Sequence, residues 1–156
     1  MGPEDGELYE PEPARGDRFL INGRDQGGRF ALVEHRLPPK VLAAPVHKHT
    51  REDEFSFILE GSVGARFGDE EEVVASPGDL VFKPRGEWHT FWNAGDTPAR
   101  LLEIISPGGL EELFRWLDQL TEELSPEALQ EKAELYGGST DIEATMALVK
   151  KHGLIF

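Results

Sequence analysis

The 156-residue sequence contains no cysteine. Disulfides, thiolate zinc sites, iron–sulfur clusters and a cysteine nucleophile are therefore excluded, and any metal must be bound by nitrogen and oxygen atoms. Positive charge is scarce, because 16 Lys and Arg oppose 30 Asp and Glu and leave a formal net charge of −14. This balance argues against nucleic acids and anionic membrane surfaces, which are bound through Lys and Arg. We therefore expect a small-molecule or protein partner.

Long apolar runs are also missing. Segments such as 101–105 are among the longest, and Glu103 interrupts this one, whereas a membrane-spanning helix needs about 18 consecutive apolar residues. The acidic N-terminal stretch, residues 1–16, is rich in Pro and Gly and lacks the basic flank and apolar segment of a secretory signal. We predict a soluble, cytoplasmic protein with a flexible N-terminal arm at 1–16.

Residues 17–106 form a series of short segments rich in Phe, Val, Ile, Leu and Trp, each bounded by Gly, Pro, Asn or Asp. The segments are 18–21, 29–37, 54–60, 62–67, 72–75, 79–83, 88–93 and 99–105. Eight short strands separated by turn residues predict an all-β sandwich or barrel over 17–106.

The pattern then changes to helical spacing, which predicts a C-terminal helical extension at 107–156. Apolar residues recur three and four apart at Leu110, Leu113, Phe114, Leu117 and Leu120. Ser125 before Pro126 predicts the start of a second helix, and Thr140 with Glu143 predicts a capping box that opens a third. Because such short helices are marginal alone, we expect them to pack on the outside of the strands.

Three of the five histidines lie in two neighbouring blocks of sequence. His47 and His49 are two residues apart, so in a strand both rings point to the same side. Glu54 follows at an odd step, and a turn over 50–53 is needed for a returning strand to aim Glu54 back at the two imidazoles. His89 belongs to another hairpin, which begins after residue 86.

The spacing of these residues resembles the two sequence motifs of the cupin family. The first motif is matched by His47-x-His49-x4-Glu54-x6-Gly61, and the second by Gly78-x5-Pro84-x-Gly86-x2-His89-x3-Asn93. The family often has a glycine six residues before the first histidine, where this chain has Val41, a difference that affects an entry turn and not a ligand. The motifs span 41–93, and the flanking strands extend the likeness to about residue 106.

The resemblance implies a cupin double-stranded β-helix, a jelly-roll barrel at 17–106 with α-helices packed outside. It also implies one divalent transition metal bound by His47, His49, Glu54 and His89. Three nitrogen donors suit Fe, Mn, Ni, Co, Cu or Zn and do not suit an all-oxygen magnesium or calcium site. Without a cation, the converging imidazoles and the carboxylate would be buried without partners, and each such group would cost about 1–3 kcal/mol of folding free energy. Four protein ligands leave two positions of a six-coordinate metal open.

Strand alternation also predicts the wall of the site. If Glu54 and His89 face inward, then so do Ser56, Ile58 and Phe91, which predicts a mostly apolar substrate pocket suited to a planar or aromatic molecule. The same side chains would serve equally well to fill a small barrel.

Aromatic side chains are expected on the opposite, outward face of the same strands. They are Phe55, Phe57, Leu59, Trp88 and Trp92. So much apolar surface is not left exposed on a monomer, so either the C-terminal helices or a second subunit covers it. In a homodimer, which the family resemblance implies, the helices and the second subunit could each cover part of this face.

The remaining charged residues and histidines are interpreted as structural. His35 lies in a predicted strand, and His152 fits the last turn of a helix, where a cation complements the helix dipole. Lys83, Arg85 and Glu103 could reach the mouth of the pocket, but surface charge is the favoured interpretation.

Three functions remain open at this point. The resemblance to flavonol and thiol dioxygenases of the cupin family favours a metal-dependent, dioxygenase-like oxidoreductase acting on a small aromatic or polyketide-like molecule. Glu54 would then be both a metal ligand and the catalytic general base. The alternatives are a redox-neutral, metal-dependent isomerase or cyclase, and a non-catalytic cupin that binds a small ligand. Transcription factors are disfavoured because acidic residues such as Glu111, Glu112 and Glu127 would repel phosphate.

Overall fold

The computed structural model describes residues 1–2, 5–12, 15–68, 71–120 and 125–156. The strands are β1 (Glu7–Glu12), β2 (Arg15–Ile21), β3 (Ala31–Leu37), β4 (Val46–His49), β5 (Asp53–Glu60), β6 (Val63–Phe67), β7 (Glu71–Ala75), β8 (Leu80–Lys83), β9 (His89–Asn93), β10 (Ala99–Ser106) and β11 (Gly138–Asp141). The helices are α1 (Glu111–Asp118), α2 (Pro126–Leu135) and α3 (Ile142–His152), with a short 3-10 helix at Gly23–Gln26.

The strands form two antiparallel sheets. One sheet has the order β1-β2-β3-β10-β5-β8, and the other has the order β11-β4-β9-β6-β7. Several neighbouring strands, such as β3 with β10 and β4 with β9, come from distant parts of the chain, as in a jelly roll. The prediction of an all-β barrel with C-terminal helices is confirmed, and each of the eight predicted segments overlaps a strand.

The main core is enclosed by the inner faces of the two sheets. Leu37, Ile58 and Leu101 come from β3, β5 and β10, and they pack with Val63 of β6 and Phe91 of β9. All five are at most 6% exposed. Alternate residues of these strands therefore point into the core.

Two glycines allow close approaches within this barrel. A Cβ atom on Gly64 of β6 would lie 2.2 Å from the indole of Trp92, its register partner on β9. Gly61 joins β5 to β6 with φ +77°, and a Cβ there would lie 2.8 Å from the carbonyl oxygen of Pro98. The backbone conformation at Gly61 and the space at Gly64 both require glycine.

The N-terminal stretch differs from the predicted flexible arm. Within residues 1–16, β1 pairs antiparallel with β2, with Tyr9 opposite Asp17. The Tyr9 ring packs edge-on against Phe19, with the ring centroids 5.8 Å apart. Proline suggested an unstructured segment, but β1 is the edge strand of its sheet, where a missing backbone N–H is tolerated.

The third helix also begins one residue later than predicted. Its N-cap is Asp141, whose carboxylate accepts a hydrogen bond from the backbone N–H of Ala144 at 2.8 Å. The expected cap, Thr140, pairs with His47, and its hydroxyl donates a hydrogen bond to Oε1 of Gln130 at 2.7 Å. Both residue types are good caps, but the Thr140 side chain is engaged with α2 and Asp141 caps α3.

The three helices cover different parts of the barrel. Helix α1 packs against β1 and β2, α2 packs against β11, and α3 packs against β4. Trp92, expected on the outward face beneath the C-terminal helices or a second subunit, packs against Leu148 of α3 and Leu154. Among the described residues, none of these helices is long and apolar enough to cross a membrane.

Candidate metal centre

Strand pairing brings the predicted ligands to one place. His47 of β4 lies directly opposite His89 of β9 in the register of one sheet, and their ring centroids are 4.4 Å apart. His49 lies two residues further along β4, on the same side, with its ring 5.0 Å from that of His89. Glu54 enters from β5 of the other sheet after the turn that begins at residue 50.

The four side chains form a compact and buried cluster. One potential ligand atom from each of His47, His49, Glu54 and His89 can be chosen so that all four lie within 4.8 Å of one another. Glu54, His49 and His89 are at most 2% exposed. We call these four residues the His/Glu cluster.

Backbone carbonyls orient two of the imidazoles. Nδ1 of His47 lies 2.8 Å from the carbonyl oxygen of Pro45, and Nδ1 of His89 lies 3.0 Å from that of Glu87. Because a carbonyl only accepts, each Nδ1 carries a proton that it donates, which leaves Nε2 as the ring nitrogen with a free lone pair. This is the arrangement that orients histidine ligands in metal sites.

Several nitrogen atoms inside the cluster lack hydrogen-bond partners. Nε2 of His49 and Nε2 of His89 are buried and make no hydrogen bond to any described residue. They lie 3.6 and 3.3 Å from the carboxylate oxygens of Glu54, without the geometry of a hydrogen bond. Buried ring nitrogens without hydrogen-bond partners, beside a carboxylate, suit a divalent transition metal. One metal ion would be bound by the nitrogen atoms and the carboxylate at the same time.

The charges in the cluster also favour the metal-binding forms. Burial would raise the pKa of Glu54, but Lys83 and the imidazoles of His49 and His89 hold it well below its usual value, so the carboxylate is ionised. Burial and the neighbouring His89 lower the pKa of His47 to about 3, which keeps this ring neutral. A neutral imidazole and an ionised carboxylate are the forms that bind a metal.

His49 has an additional acidic neighbour. The carboxylate of Glu52, which is 5% exposed, lies 3.5 Å from Nδ1 of His49. Burial opposes protonation of His49, but the Glu54 and Glu52 carboxylates outweigh it and raise the pKa of His49. Burial in turn raises the pKa of Glu52. A carboxylate behind a histidine ligand holds the ring in place and increases its basicity.

A buried ion-pair chain extends inward from the cluster. Nζ of Lys83 lies 3.0 Å from Oε2 of Glu54 and 2.9 Å from Oε1 of Glu103, and Ser56 donates a hydrogen bond to Glu103 at 2.7 Å. Lys83 also lies over the ring of Phe91, 4.3 Å from its centroid. The chain compensates each buried charge with a partner.

The interpretation of Lys83 and Glu103 as surface charges is wrong, because these residues are 0% and 1% exposed. The sequence contained the signal: Glu103 shares strand parity with Leu101 and Ile105, which are fully buried. Arg85 does lie at the surface, where it forms an ion pair with Asp53 at 2.6 Å.

The His/Glu cluster opens onto a cavity of about 150 Å³. Phe91, predicted to line a pocket, does so. Ser56 and Ile58, predicted in the same role, are buried but do not belong to the described lining: Ser56 bonds Glu103, and Ile58 fills the main core. Both face inward as alternation predicts, but the barrel interior at their level is occupied by side chains.

The C-terminal extension contributes part of the cavity wall. The lining residues from this extension include Leu110, Leu113, Phe114, Leu117, Leu129 and Ala133. The helices were expected on the outside of the barrel, and they do lie outside it, but α1 and α2 also cover its open end. Much of the apolar wall of the cavity therefore comes from a segment that the motifs do not include.

The cavity contains one histidine that sequence reasoning did not select. Nδ1 of His35 lies 2.7 Å from Oδ1 of Asp17, and the His35 ring lines the cavity. His35 shares strand parity with the buried Val33 and Leu37, which is the signal that it faces inward. His152, the other histidine outside the motifs, lies in the last turn of α3 as expected and contacts Glu72 at 2.9 Å.

Comparisons with known proteins agree with this geometry. The family model for the Cupin domain matches residues 33–105. The chain is 32% identical over 105 residues to quercetin 2,3-dioxygenase of Aspergillus japonicus, covering 64% of this chain and 30% of that protein. It is 36% identical over 90 residues to the tetracenomycin polyketide synthase protein TcmJ of Streptomyces glaucescens, covering 58% and 60%. The chain thus matches less than two thirds of the length of each relative.

A solved structure shows the same fold. KdgF from a Halomonas species superposes with a TM-score of 0.61 at 16% identity, and the match covers 72% of this chain and 96% of that one.

Proposed function

The chain belongs to the cupin superfamily, and from this membership we propose that it is a metal-dependent, dioxygenase-like oxidoreductase acting on a small aromatic or polyketide-like molecule. The observation that carries the proposal is the His/Glu cluster, which opens onto a mostly apolar cavity. Three nitrogen donors and one carboxylate suit Fe, Mn, Ni, Co, Cu or Zn.

The proposal assigns the metal to His47, His49, Glu54 and His89. A bound redox-active metal would supply Lewis-acid and electron-transfer chemistry at the floor of the cavity. The protein residues would hold their ligand atoms in fixed positions, because the Pro45 and Glu87 carbonyls orient two of the rings. The apolar walls would exclude water from the substrate.

Glu54 is proposed as the catalytic base as well as a ligand. Its Oε2 atom is held by Lys83 at 3.0 Å, and Lys83 in turn is anchored by Glu103. Glu54 can take a proton from a substrate hydroxyl that comes within about 2.6–3.2 Å of a carboxylate oxygen. Lys83 would then keep the carboxylate ionised and orient it between proton transfers.

The choice of oxidative chemistry follows the relative named quercetin 2,3-dioxygenase, whose name describes an aromatic substrate and a dioxygenase reaction. The match to a polyketide synthase protein supports the second candidate, a redox-neutral, metal-dependent isomerase or cyclase acting on a polyketide-like molecule. The cluster geometry suits both reactions, because each needs a metal, a base and an apolar cavity.

The proposal is tested by measuring the metal content of the protein and then the dependence of substrate turnover on oxygen. Protein purified without chelator is expected to contain about one transition-metal ion per chain by mass spectrometry. The loaded protein is then given quercetin and smaller hydroxylated aromatic compounds with and without oxygen. Oxygen uptake that matches substrate loss supports the dioxygenase. Equal turnover without oxygen would contradict it in favour of the redox-neutral candidate, and metal without turnover on the whole panel would favour a ligand-binding protein.

The proposal also includes a cytoplasmic homodimer. Four apolar side chains of the β10-β5-β8 edge are 39–59% exposed on the outer face of their sheet, namely Phe57, Leu80, Phe82 and Ile104. We call them the outer apolar face. Strand β8 is the end strand of its sheet, so a second copy could pack against this face without rearranging the barrel.

A further inference from the structure

The cavity contains a second polar group that the proposed chemistry leaves unused. His35 of β3 is 6% exposed, and its Nδ1 atom lies 2.7 Å from Oδ1 of Asp17 on β2. The ring lines the same cavity as His47, His49 and Glu54. Its other nitrogen, Nε2, is buried and has no hydrogen-bond partner among the described residues.

The groups around His35 favour a positive charge on its ring. Burial opposes the charged form, but Asp17 and, more weakly, Glu103 of β10 outweigh it and raise the pKa of His35 to about 8, against a small opposing effect of Lys83 on β8. Arg36 of β3 and Asp118 of α1 also line the cavity. At neutral pH His35 is therefore mainly an imidazolium.

The two carboxylates that raise the pKa of His35 already have partners other than its Nε2 atom. Asp17 accepts at Nδ1, and Glu103 accepts from Ser56 and forms an ion pair with Lys83 at 2.9 Å. The Nε2–H of the imidazolium is thus a charged donor with no acceptor in the described protein. A buried charged donor gains more from an anionic acceptor than from a neutral one.

Aromatic side chains flank this donor. The ring of Phe91 lies 5.6 Å from the His35 ring and is tilted by 54°, and the ring of Phe114 of α1 lies 5.6 Å away at 63°. The mostly apolar cavity has a volume of about 150 Å³, which is enough for a molecule the size of benzene. One aromatic ring can therefore be accommodated in the cavity that His35 lines.

We propose that the cavity binds a small aromatic molecule carrying one anionic oxygen, and that His35 donates its Nε2–H to that oxygen. His35 is then a ligand-binding residue, and Asp17 is a positioning residue that holds the ring and its charge. The assignment rests on the proposed function in taking this cavity as the substrate site, but it does not require a bound metal.

Binding of benzoate and benzamide to the full-length protein tests the assignment. The two probes have the same ring and nearly the same shape, but only benzoate is anionic at pH 6.5. Metal is first removed with a chelator, so that benzoate has no metal to bind. Isothermal titration of the wild type is expected to show benzoate binding about tenfold or more tighter than benzamide.

His35→Gln is expected to abolish this preference, because it replaces the charged ring with a neutral side chain of similar size. The matched control is His152→Gln, which alters a histidine that also contacts a carboxylate, Glu72, but lies outside the cavity lining. The control is expected to keep the preference. Equal binding of the two probes by the wild type, no binding of either, or an unchanged preference in His35→Gln would each overturn the proposal.

Asp17→Asn provides a second variant that leaves His35 in place. In the wild type the preference for benzoate is expected to fade as the pH rises through about 8, because the ring then loses its proton. In Asp17→Asn it should fade at a lower pH, a shift that a merely structural role of Asp17 would not produce. A pH profile identical to the wild type would contradict the positioning role.

The result of the benzoate test can be distinguished from a failure of the proposed metal-dependent function. A protein that prefers benzoate but binds no metal would retain the His35 assignment and lose the proposed metal chemistry. A protein that binds one metal per chain but shows no preference would lose only the His35 assignment.

Discussion

Four histidines, His35, His47, His49 and His89, are buried or half-buried in the barrel and differ in the partners of their ring nitrogens. His47 and His89 each use Nδ1 to contact a backbone carbonyl, which leaves Nε2 for a ligand. His35 uses Nδ1 to contact Asp17. The difference lies in the partner: a carbonyl fixes a neutral tautomer, whereas a carboxylate stabilises the imidazolium. The partner of Nδ1 therefore distinguishes His47 and His89 from His35. His49 follows neither pattern, because its Nδ1 lies 3.5 Å from the Glu52 carboxylate.

His89→Ala tests the role of one proposed ligand. The variant is expected to keep the barrel, because His89 is not part of the apolar core clusters, but to lose most of its metal, since one donor of four is removed. Metal content per chain and the circular dichroism spectrum provide the readouts. His152→Ala is the control, and metal content in His89→Ala equal to that of the control would remove His89 from the ligand set.

The His35–Asp17 pair predicts a pH dependence of stability. Because the folded state raises the pKa of His35 from 6.5 to about 8, the folded protein binds this proton more tightly than the unfolded chain. The pair therefore contributes about 2 kcal/mol below pH 6.5, and this contribution is lost as the pH rises through 8. Asp17→Asn should lower the free energy of unfolding by about 2 kcal/mol more at pH 6 than at pH 9. Denaturant titrations that show the same loss at both pH values would contradict the linkage.

At the scale of secondary-structure elements, the C-terminal extension has two tasks. Helix α3 covers Trp92 on the outside of the barrel, whereas α1 and α2 supply apolar walls to the cavity. Strand β11 extends the sheet that carries the histidines by pairing with β4, with Thr140 opposite His47. The extension thus supports the β4 strand from its free side.

Asp141→Ala tests the junction between β11 and α3. Removal of the capping carboxylate leaves the N–H of Ala144 without its partner at 2.8 Å, so a loss of about 1 kcal/mol in the free energy of unfolding is expected. Glu143→Ala is the control, because the structure assigns the cap to Asp141 and not to a box with Thr140. A larger loss in the control than in Asp141→Ala would restore the sequence-based prediction of a Thr140 cap.

At the scale of the whole molecule, the outer apolar face is the proposed interface of the homodimer. Phe82 stacks on Phe55 across the β5–β8 pair, with centroids 4.8 Å apart, and Leu80 of the same end strand is 59% exposed. The formal charge of −14 would repel a second copy at long range, so apolar contact must supply the affinity.

The double variant Phe82→Lys with Leu80→Lys tests the proposed homodimer. The wild type is expected to sediment as a dimer, and the variant is expected to sediment as a folded monomer, because two charges would be buried at the interface. The matched control is Val74→Lys on β7 of the other sheet, where Val74 is 65% exposed. A monomeric wild type, or a variant that remains dimeric, would contradict the proposal.

The sequence by itself determined the strand assembly and the residues of the His/Glu cluster. Strand alternation and turn residues are local properties, and the ligand set His47, His49, Glu54 and His89 came from the resemblance of its spacing to the two cupin motifs. The same local rule identified Phe91 as a lining residue. Local rules suffice for the direction in which a strand residue points, because side chains alternate between the two faces of a strand with a period of two.

Only the tertiary structure decided which inward residues reach the cavity. Ser56, Ile58 and Phe91 share one orientation, but the depth of each in the barrel depends on packing between sheets. The roles of Lys83, Glu103 and His35 likewise depend on partners brought from distant strands, because a charge is buried stably only beside a compensating group. Such long-range proximity leaves no periodic signal in the chain, and so the ion-pair chain and the His35–Asp17 pair emerge only from the folded barrel.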